Sequence, residues 1–556
     1  MIKPADWQPA GGLTLEPNAL AAVREQAGSL ALTAGPGAGK TEMLAQRADF
    51  LLRTGLCPYP QRILAISFKI DASRNLKERV HQRCGFALAA RLDSHTFHAF
   101  AKRLIDRFRP ALSDINKLDA DYTIGDKRYR GQQITFDDLV PLAIEILSNS
   151  EVARNAVRQT YSHVFLDEFQ DCTDAQYKLI KNAFAGAGIL LTAVGDTKQR
   201  IMGWAGALEG IFRTFAKDFN ARGLNLYQNF RSLPRLRRMQ NAMVKVMEPA
   251  AAVPDKNIKG NGGEIAILAF DNSQEEATEA AGMIRRWINK DKIPPSEIAV
   301  MLSKQPELYA ELLMIELARR GIPVRNEQKI QDLSAEPVAR LIIDFLSVVL
   351  GEREPDAYGR LMQVLQDSNF DVDGDYDSRA RWHRFLDRKR EQIGQGAIAT
   401  TNVVTLRKLA DAFLTELGRE PLVALSADYE QGDRLDTLIN DTFERIGGFL
   451  QLEPDPVKAI SRFSEDMAVR IMTIHKSKGL EFDTVVMLGI ERQTFFGNAE
   501  DERAAYFVGI SRAKRVLVLT TAAVRARPNG HTKRWDEQRT PHEEFLGYAM
   551  PFFNPD

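Results

Sequence analysis

Short apolar runs recur along the chain, each closed by glycine, acid or hydroxyl residues and followed by a stretch of helical periodicity. Ser29 to Thr33, Gln61 to Phe68, Val164 to Leu166 and Gly188 to Val194 read as buried strands. The intervening Glu42 to Leu52, Asp71 to Val80 and Ala101 to Phe108 read as helices. The alternation resumes later. Glu264 to Phe270, Glu297 to Leu302, Val469 to Ile474, Thr484 to Leu488 and Arg515 to Thr520 are strand-like, and Glu275 to Asn289 and Pro306 to Arg320 are helix-like. Apolar strands joined by helices predict an α/β chain. Three stretches break the pattern: Pro110 to Gln159, with a helical run at Phe136 to Leu147; the Pro-, Lys-, Asn- and Gly-rich linker Ala251 to Gly263; and the polar, helical Gly351 to Asp466.

A length of 556 residues predicts several domains at roughly 100–200 residues each, and 44% hydrophobic with 27% charged residues is ordinary for a globular chain. No apolar run approaches the roughly 18 residues of a membrane helix. The start, with Pro4, Asp6 and Pro9, has no hydrophobic signal segment, so a cytoplasmic protein without membrane contact is expected. Cys57, Cys84 and Cys172 are too scattered for a disulfide framework or a zinc site and read as reduced thiols. Equal counts of Lys+Arg and Asp+Glu, 74 each, give no global basic field, so any nucleic acid must be held by local grooves and stacking.

Against that background Ala34-Gly35-Pro36-Gly37-Ala38-Gly39-Lys40-Thr41 stands out, lying between an apolar strand and a helix. A glycine-rich turn there aims successive backbone N–H groups into one concavity, and the helix N-terminus adds its dipole. Gly35, Gly37, Ala38 and Gly39 would cradle phosphates, Lys40 would reach the β/γ-phosphates and the Thr41 hydroxyl would hold Mg²⁺. The loop opens with Ala34 where the general pattern has glycine.

The strand at 164–166 ends in Asp167-Glu168, and buried acids need a cation or a proton. At the carboxyl end of a strand beside the phosphate loop, Asp167 can bind the Mg²⁺ of ATP while Glu168 polarises the attacking water. The next strand ends in Gly195-Asp196-Thr197-Lys198-Gln199, which offers Gln199 as a γ-phosphate sensor.

The segments AGPGAGKT, LDEFQD, VGDTKQRIMGWAGA, NFRS, MTIHKSKGLEF and FVGISRAK occur here in the order seen in UvrD-like superfamily 1 DNA helicases, which the chain resembles from Leu15 to about Phe545. The resemblance implies two RecA-like P-loop motor domains that close on ATP, each with a mainly helical insertion. The implied boundaries are 1–102 and 159–255 for the first motor with its insertion at 103–158, and 256–350 and 467–556 for the second with its insertion at 351–466. It also implies Arg231 and Arg512 as the two γ-phosphate arginines, Phe230 as the aromatic at the base, Glu481 near the ribose and His475 near the nucleic-acid backbone. A permanently charged planar guanidinium suits charge spread over transferring phosphoryl oxygens.

For the single strand the resemblance nominates Phe68, Thr96, Phe97, His98 and Trp204, since aromatic faces accept any base. By pattern alone Phe68 and Phe97 fit core aromatics equally well. Several positions depart from the family. Ala19 stands where a glutamine usually reads adenine, Glu42 replaces the arginine that often stacks on the base, and Met202 and Ala205 replace a tyrosine and an arginine after Gln199. Weak base selectivity is the expectation.

Asp371, Asp373, Asp375 and Asp377 superficially resemble a calcium loop. Gly374 falls too early, however, and Trp382 stands at the bidentate acid position, so an exposed acidic turn is expected. The basic stretch Arg379 to Arg390, with Trp382 and Phe385, offers either a duplex-DNA contact or a solvated helix face. Little chain follows the last strand, which leads us to expect no appended nuclease. The expected activity is ATP-driven translocation on single-stranded DNA or single/double-strand junctions, with helicase action of 3′ to 5′ polarity implied by resemblance, in repair, recombination or defence. The alternative is a nucleic-acid-sensing regulatory NTPase that controls a partner nuclease subunit, as in Gabija-type anti-phage systems.

Overall fold

The structure is a computed structural model that describes residues 2–68, 70–125, 127–199, 208, 210–326, 333, 336–351, 354–367, 375–396, 402–425, 429, 434–452, 455–464, 468–495, 497–528 and 530–554. Contacts divide the chain into two compact units. The larger comprises Met1–Tyr122, Asp126–Gln328 and Val469–Asp556, and the smaller Lys329–Ala468 with Thr123–Gly125.

The larger unit holds two six-stranded parallel sheets. The first contains β1 (Leu30–Ala34), β2 (Arg62–Ser67) and β3 (Leu92–Thr96). After the polar two-stranded sheet of β4 (Leu118–Ile124) and β5 (Gly131–Ile134), the first sheet is completed by β6 (Tyr161–Leu166), β7 (Leu190–Gly195) and β8 (Arg222–Leu226), in the order β3-β2-β6-β7-β1-β8. The second contains β9 (Glu264–Asn272), β10 (Ile298–Leu302), β11 (Val324–Asn326), β12 (Val469–Thr473), β13 (Phe482–Met487) and β14 (Ala513–Val524), in the order β11-β12-β10-β13-β14-β9. The pairings in both are parallel, for example Leu30 with Thr192 and Ile298 with Thr484. Central strands are buried on both faces, which is why β10 and the second half of β6, Val164 to Leu166, are apolar.

Parallel pairing puts the carboxyl ends of β1, β2, β3, β6 and β7 along one edge, so the residues that follow them converge there. Helix Lys40–Thr54 leaves β1 through the glycine loop and buries its face from Met43 to Leu52. Within that face Arg47 is fully buried, its Nε donating to Thr192 Oγ1 at 3.0 Å and its NH1 to the Ala22 and Val23 carbonyls. The fold is thus α/β with two RecA-like motors, as expected.

The smaller unit is helical. Its core includes Phe345, Trp382, Phe385 and Phe413, with the rings of Phe345 and Phe413 stacked at 4.2 Å. Trp382 and Phe385 of helix Asp375–Gly394 therefore face inward, and the basic residues around them form the outer side of an amphipathic helix. Residues 371–374 lie outside the described residues.

Candidate nucleotide site and nucleic-acid track

The loop between β1 and helix Lys40–Thr54 turns on Gly37 (φ 66°) and Gly39 (φ 75°), both in the left-handed region that favours glycine. Gly37 has a second constraint: a Cβ there would come within 2.6 Å of Asn229 Oδ1 and 2.5 Å of Arg231 Cβ. The segment Asn229 to Ser232 lies on the loop, and the Phe230 amide donates to the Gly37 carbonyl at 2.9 Å. Phe230 is 63% exposed, its ring near Gly39.

Asp167 and Glu168 follow β6 as a buried and a half-buried acid. Glu168 is itself left-handed (φ 51°), and its amide donates to Asp167 Oδ1 at 2.9 Å. Burial and the neighbouring Glu168 charge push the Asp167 carboxyl above its usual range. Burial acts on Glu168 in the same sense but is outweighed: Lys40 Nζ at 3.7 Å, Lys478 at 4.0 Å and the Gln170 amide at 2.5 Å hold it below the usual carboxylate range. Gln170 spans two strand ends, because its Oε1 accepts from the Asp196 amide at 3.0 Å. Any Cβ at Gly195 would collide with that oxygen.

Gln199 ends the short turn after β7. Its Nε2 donates to Asp196 Oδ2 at 2.8 Å, and its Oε1 accepts from Arg512 at 2.6 Å. Arg512 sits just before β14, 2% exposed, and also donates to the Val508 and Leu480 carbonyls at 2.9 and 3.2 Å. Burial and the nearby Arg231 charge lower its pKa. Arg231 Nε donates to Glu481 at 2.7 Å and its NH1 to the Ser511 carbonyl at 3.1 Å. Burial works against ionisation of Glu481, but Arg231 and Lys514 hold it below the usual range. Lys40, Glu168, Gln199, Arg231, Arg512 and Glu481 thus form one continuous polar network. The first sheet contributes at its carboxyl edge, the second through residues preceding β13 and β14.

Two pairings around the site have no sequence signal of their own. Lys478 looks like any motif lysine, yet it is buried against Asp171 and donates to the Gln199 carbonyl at 2.9 Å. Glu42, expected only as a departure near the base, is held by Arg83 at 2.8 and 3.1 Å and by Gln46 at 2.8 Å. Ala19 is buried in the core.

The expected track residues fall into different settings. Phe68 is half-buried with its ring 5.2 Å from that of Phe97, and Phe97 is 2% exposed, so Phe97 supports Phe68 and offers no open face. Thr96 caps helix Phe97–Phe108 by accepting from the Ala99 amide at 3.2 Å. His98 is half-buried and stacks on Phe136 at 4.1 Å. His475 is half-buried after β12. Trp204, Met202 and Ala205 lie outside the described residues.

Two parallel sheets whose residues meet beside a single phosphate loop, at Arg231 and Gln199, define a P-loop motor with paired RecA-like domains. Residues 15–135 and 112–220 match the UvrD/REP helicase N-terminal domain, and 224–368 and 419–523 match the UvrD-like helicase C-terminal domain. The chain belongs to the UvrD-like helicase family. It is similar to the ATP-dependent DNA helicase PcrA of Leuconostoc citreum, 24% identical with 90% of this chain and 81% of that protein covered. It is also similar to the ATP-dependent DNA helicase Rep of Escherichia coli K12, 24% identical over 91% of each chain. The PcrA of Bacillus subtilis is 24% identical, with 92% and 83% covered. Among the described residues no helix is long and apolar enough to cross a membrane.

Proposed function

We propose that the chain is an ATP-dependent DNA helicase that moves along single-stranded DNA with 3′ to 5′ polarity. The observation that carries this reading is the Arg512–Gln199 hydrogen bond, since it ties a guanidinium of the second motor to the turn after β7 of the first. A change in phosphate occupancy at that turn then alters the fit between the motors, and closure of paired domains is how a motor steps.

Lys40 compensates charge on the β/γ-phosphates, and the loop amides of Gly35, Gly37, Ala38 and Gly39 cradle them. Glu168, held ionised by its cationic neighbours, takes the proton of the attacking water, and Gln199 orients that water against the γ-phosphate. Arg231 and Arg512 stabilise the transferring phosphoryl oxygens, an effect of order 10³–10⁵ in rate for an arginine finger. Phe230 offers its exposed ring to the base and Glu481 its carboxylate to the ribose. The donors fit magnesium: Thr41 and the buried Asp167 are hard oxygens, and no cage of three or more His, Cys, Asp or Glu exists among the described residues. That suits an ion that keeps waters and substrate phosphates as ligands. Thr41 and Asp167 would hold it, and it would supply charge neutralisation at the phosphates.

Phe68, Thr96, His98 and His475 are assigned to the strand track, and Trp204 is assigned to it from the sequence alone. Repair or recombination is the setting this activity fits, and no observation favours the regulatory-subunit alternative. The test is displacement of labelled duplexes carrying a 3′ or a 5′ tail. ATP-dependent unwinding of the 3′-tailed substrate is expected, and ATPase activity without unwinding of either substrate would overturn the reading.

A further inference from the structure

The first sheet has two edges, and they differ in what lies beside them. β3, ending at Thr96, is one edge; β8, paired only with β1, is the other. Beside β8 is a cavity of about 360 Å³, a size that accommodates a small organic ligand. The backbone from Thr33 to Pro36 forms one wall, helix Pro234–Met247 contributes Gln240 and Val244, and Phe507 enters from helix Ala499–Ile510 of the second motor. From the phosphate loop and the segment lying on it, Ala34, Gly35, Pro36 and Asn229 line this cavity; Lys40, Thr41, Asp167, Glu168, Gln199, Arg231 and Arg512 do not.

Its charge is one-sided. Among the described residues two charged side chains line the cavity, Lys198 and Arg237, and both are cations. Lys198 is already neutralised by Asp196 at 3.1 Å and Glu248 at 3.2 Å. Arg237 is half-buried, and its guanidinium makes no hydrogen bond or ion pair among the described residues. Burial alone acts on it, lowering its pKa. Partial desolvation of a cation with no counter-charge is unfavourable, and an anion brought to it recovers that cost.

We propose that this cavity is a second ligand site, bordering the opening turn of the phosphate loop but apart from Lys40 and Thr41, that takes a small organic anion. The carboxylate or phosphoester of the ligand pairs with Arg237, and its apolar body packs on Leu226, Val244, Ile258 and Phe507. Asn225, Gln228 and Asn257 supply hydrogen bonds to polar edges. Because the walls come from both motors, an occupant bridges them. A nucleic acid following Phe68 and Thr96 runs at the opposite edge of the sheet and does not compete.

The test uses the full chain and 1-anilinonaphthalene-8-sulfonate, a sulfonate on an aromatic body, followed by fluorescence. One saturable site is expected, with affinity unchanged by a saturating non-hydrolysable ATP analogue. Arg237→Gln should weaken binding roughly tenfold, equivalent to about 1.4 kcal/mol. Ala252→Trp, which fills the cavity and leaves Arg237 in place, should abolish it, and thermal melts of both variants establish that they fold. Displacement of the probe by benzoate or by phenyl phosphate supports the site and separates carboxylate from phosphoester preference. Displacement by neither, displacement by the ATP analogue, or equal affinity in folded Arg237→Gln overturns the proposal.

Discussion

Lys478 and Asp171 form a buried ion pair that joins the two motors, their side chains 4% and 5% exposed. Removing one partner of such a pair leaves the other charge buried and uncompensated, a cost of roughly 3–5 kcal/mol. Lys478→Met and Asp171→Asn should therefore each lower the denaturation midpoint and ATP turnover. The double variant should lose less than the sum of the two, by more than about 1 kcal/mol. Strict additivity in the double-mutant cycle would show that the two residues act independently.

Lys40→Ala and Glu168→Gln should both stop hydrolysis, by different routes. The first removes charge compensation at the phosphates and should weaken ATP binding. The second keeps the shape and the Gln170 neighbour but removes the base, so ATP affinity should stay near the parental value while kcat falls about 10²–10⁴-fold. Equilibrium binding of a labelled ATP analogue beside steady-state turnover separates the two, and a Glu168→Gln enzyme that turns over normally would remove Glu168 from the mechanism.

Base selectivity should be weak. Ala19 is buried, and the Glu42 carboxylate is engaged by Arg83 and Gln46, so neither is free to read an adenine edge. The kcat/KM values for ATP and GTP should differ by less than about tenfold, short of one well-placed hydrogen bond's discrimination. A strong preference for ATP would point to a different reader.

The Phe68–Phe97 pair divides packing from stacking. Phe97→Ala, which empties a core position, should cost roughly 3–5 kcal/mol of stability. Phe68→Ala and Trp204→Ala should leave stability and basal ATPase near parental while costing roughly 1–3 kcal/mol each of single-strand affinity and, with it, DNA stimulation of turnover. Unchanged single-strand affinity in both folded variants would remove these rings from the track.

Burial decides which parts of this fold are legible. β1, β2, β6, β7, β10, β12, β13 and β14 are covered on both faces and appear in the sequence as apolar runs. β9 also reads correctly, though it is an edge strand. The other edges do not: β8 is Arg-Gly-Leu-Asn-Leu and mostly exposed, β11 is three residues long, and β3 reads as a polar cluster ending in a helix cap. Glu168 and Gln199 are legible because they follow the buried strands β6 and β7, whereas Arg231 and Arg512, after the exposed β8 and before β14, are legible only through the resemblance. What the pattern misses are pairings between distant segments, such as Glu42 with Arg83 or Asp171 with Lys478, where each residue alone looks like an ordinary surface charge. The inward turn of Trp382 and Phe385 is visible in their helical spacing, which the surrounding arginines obscure.

The strand order of the first sheet fixes the length of its internal lever. β7, β6 and β2 stand between β1 and β3, so at about 4.8 Å per strand the phosphate loop and Thr96 are separated by about 19 Å. No side chain spans that gap. Whatever passes between hydrolysis and strand movement must travel through the loops that cap the two middle strands, where Glu168 and Gln199 are cross-braced by Gln170 and Asp196. The stiffness of that brace, more than the affinity of either end, sets how faithfully one event is transmitted to the other.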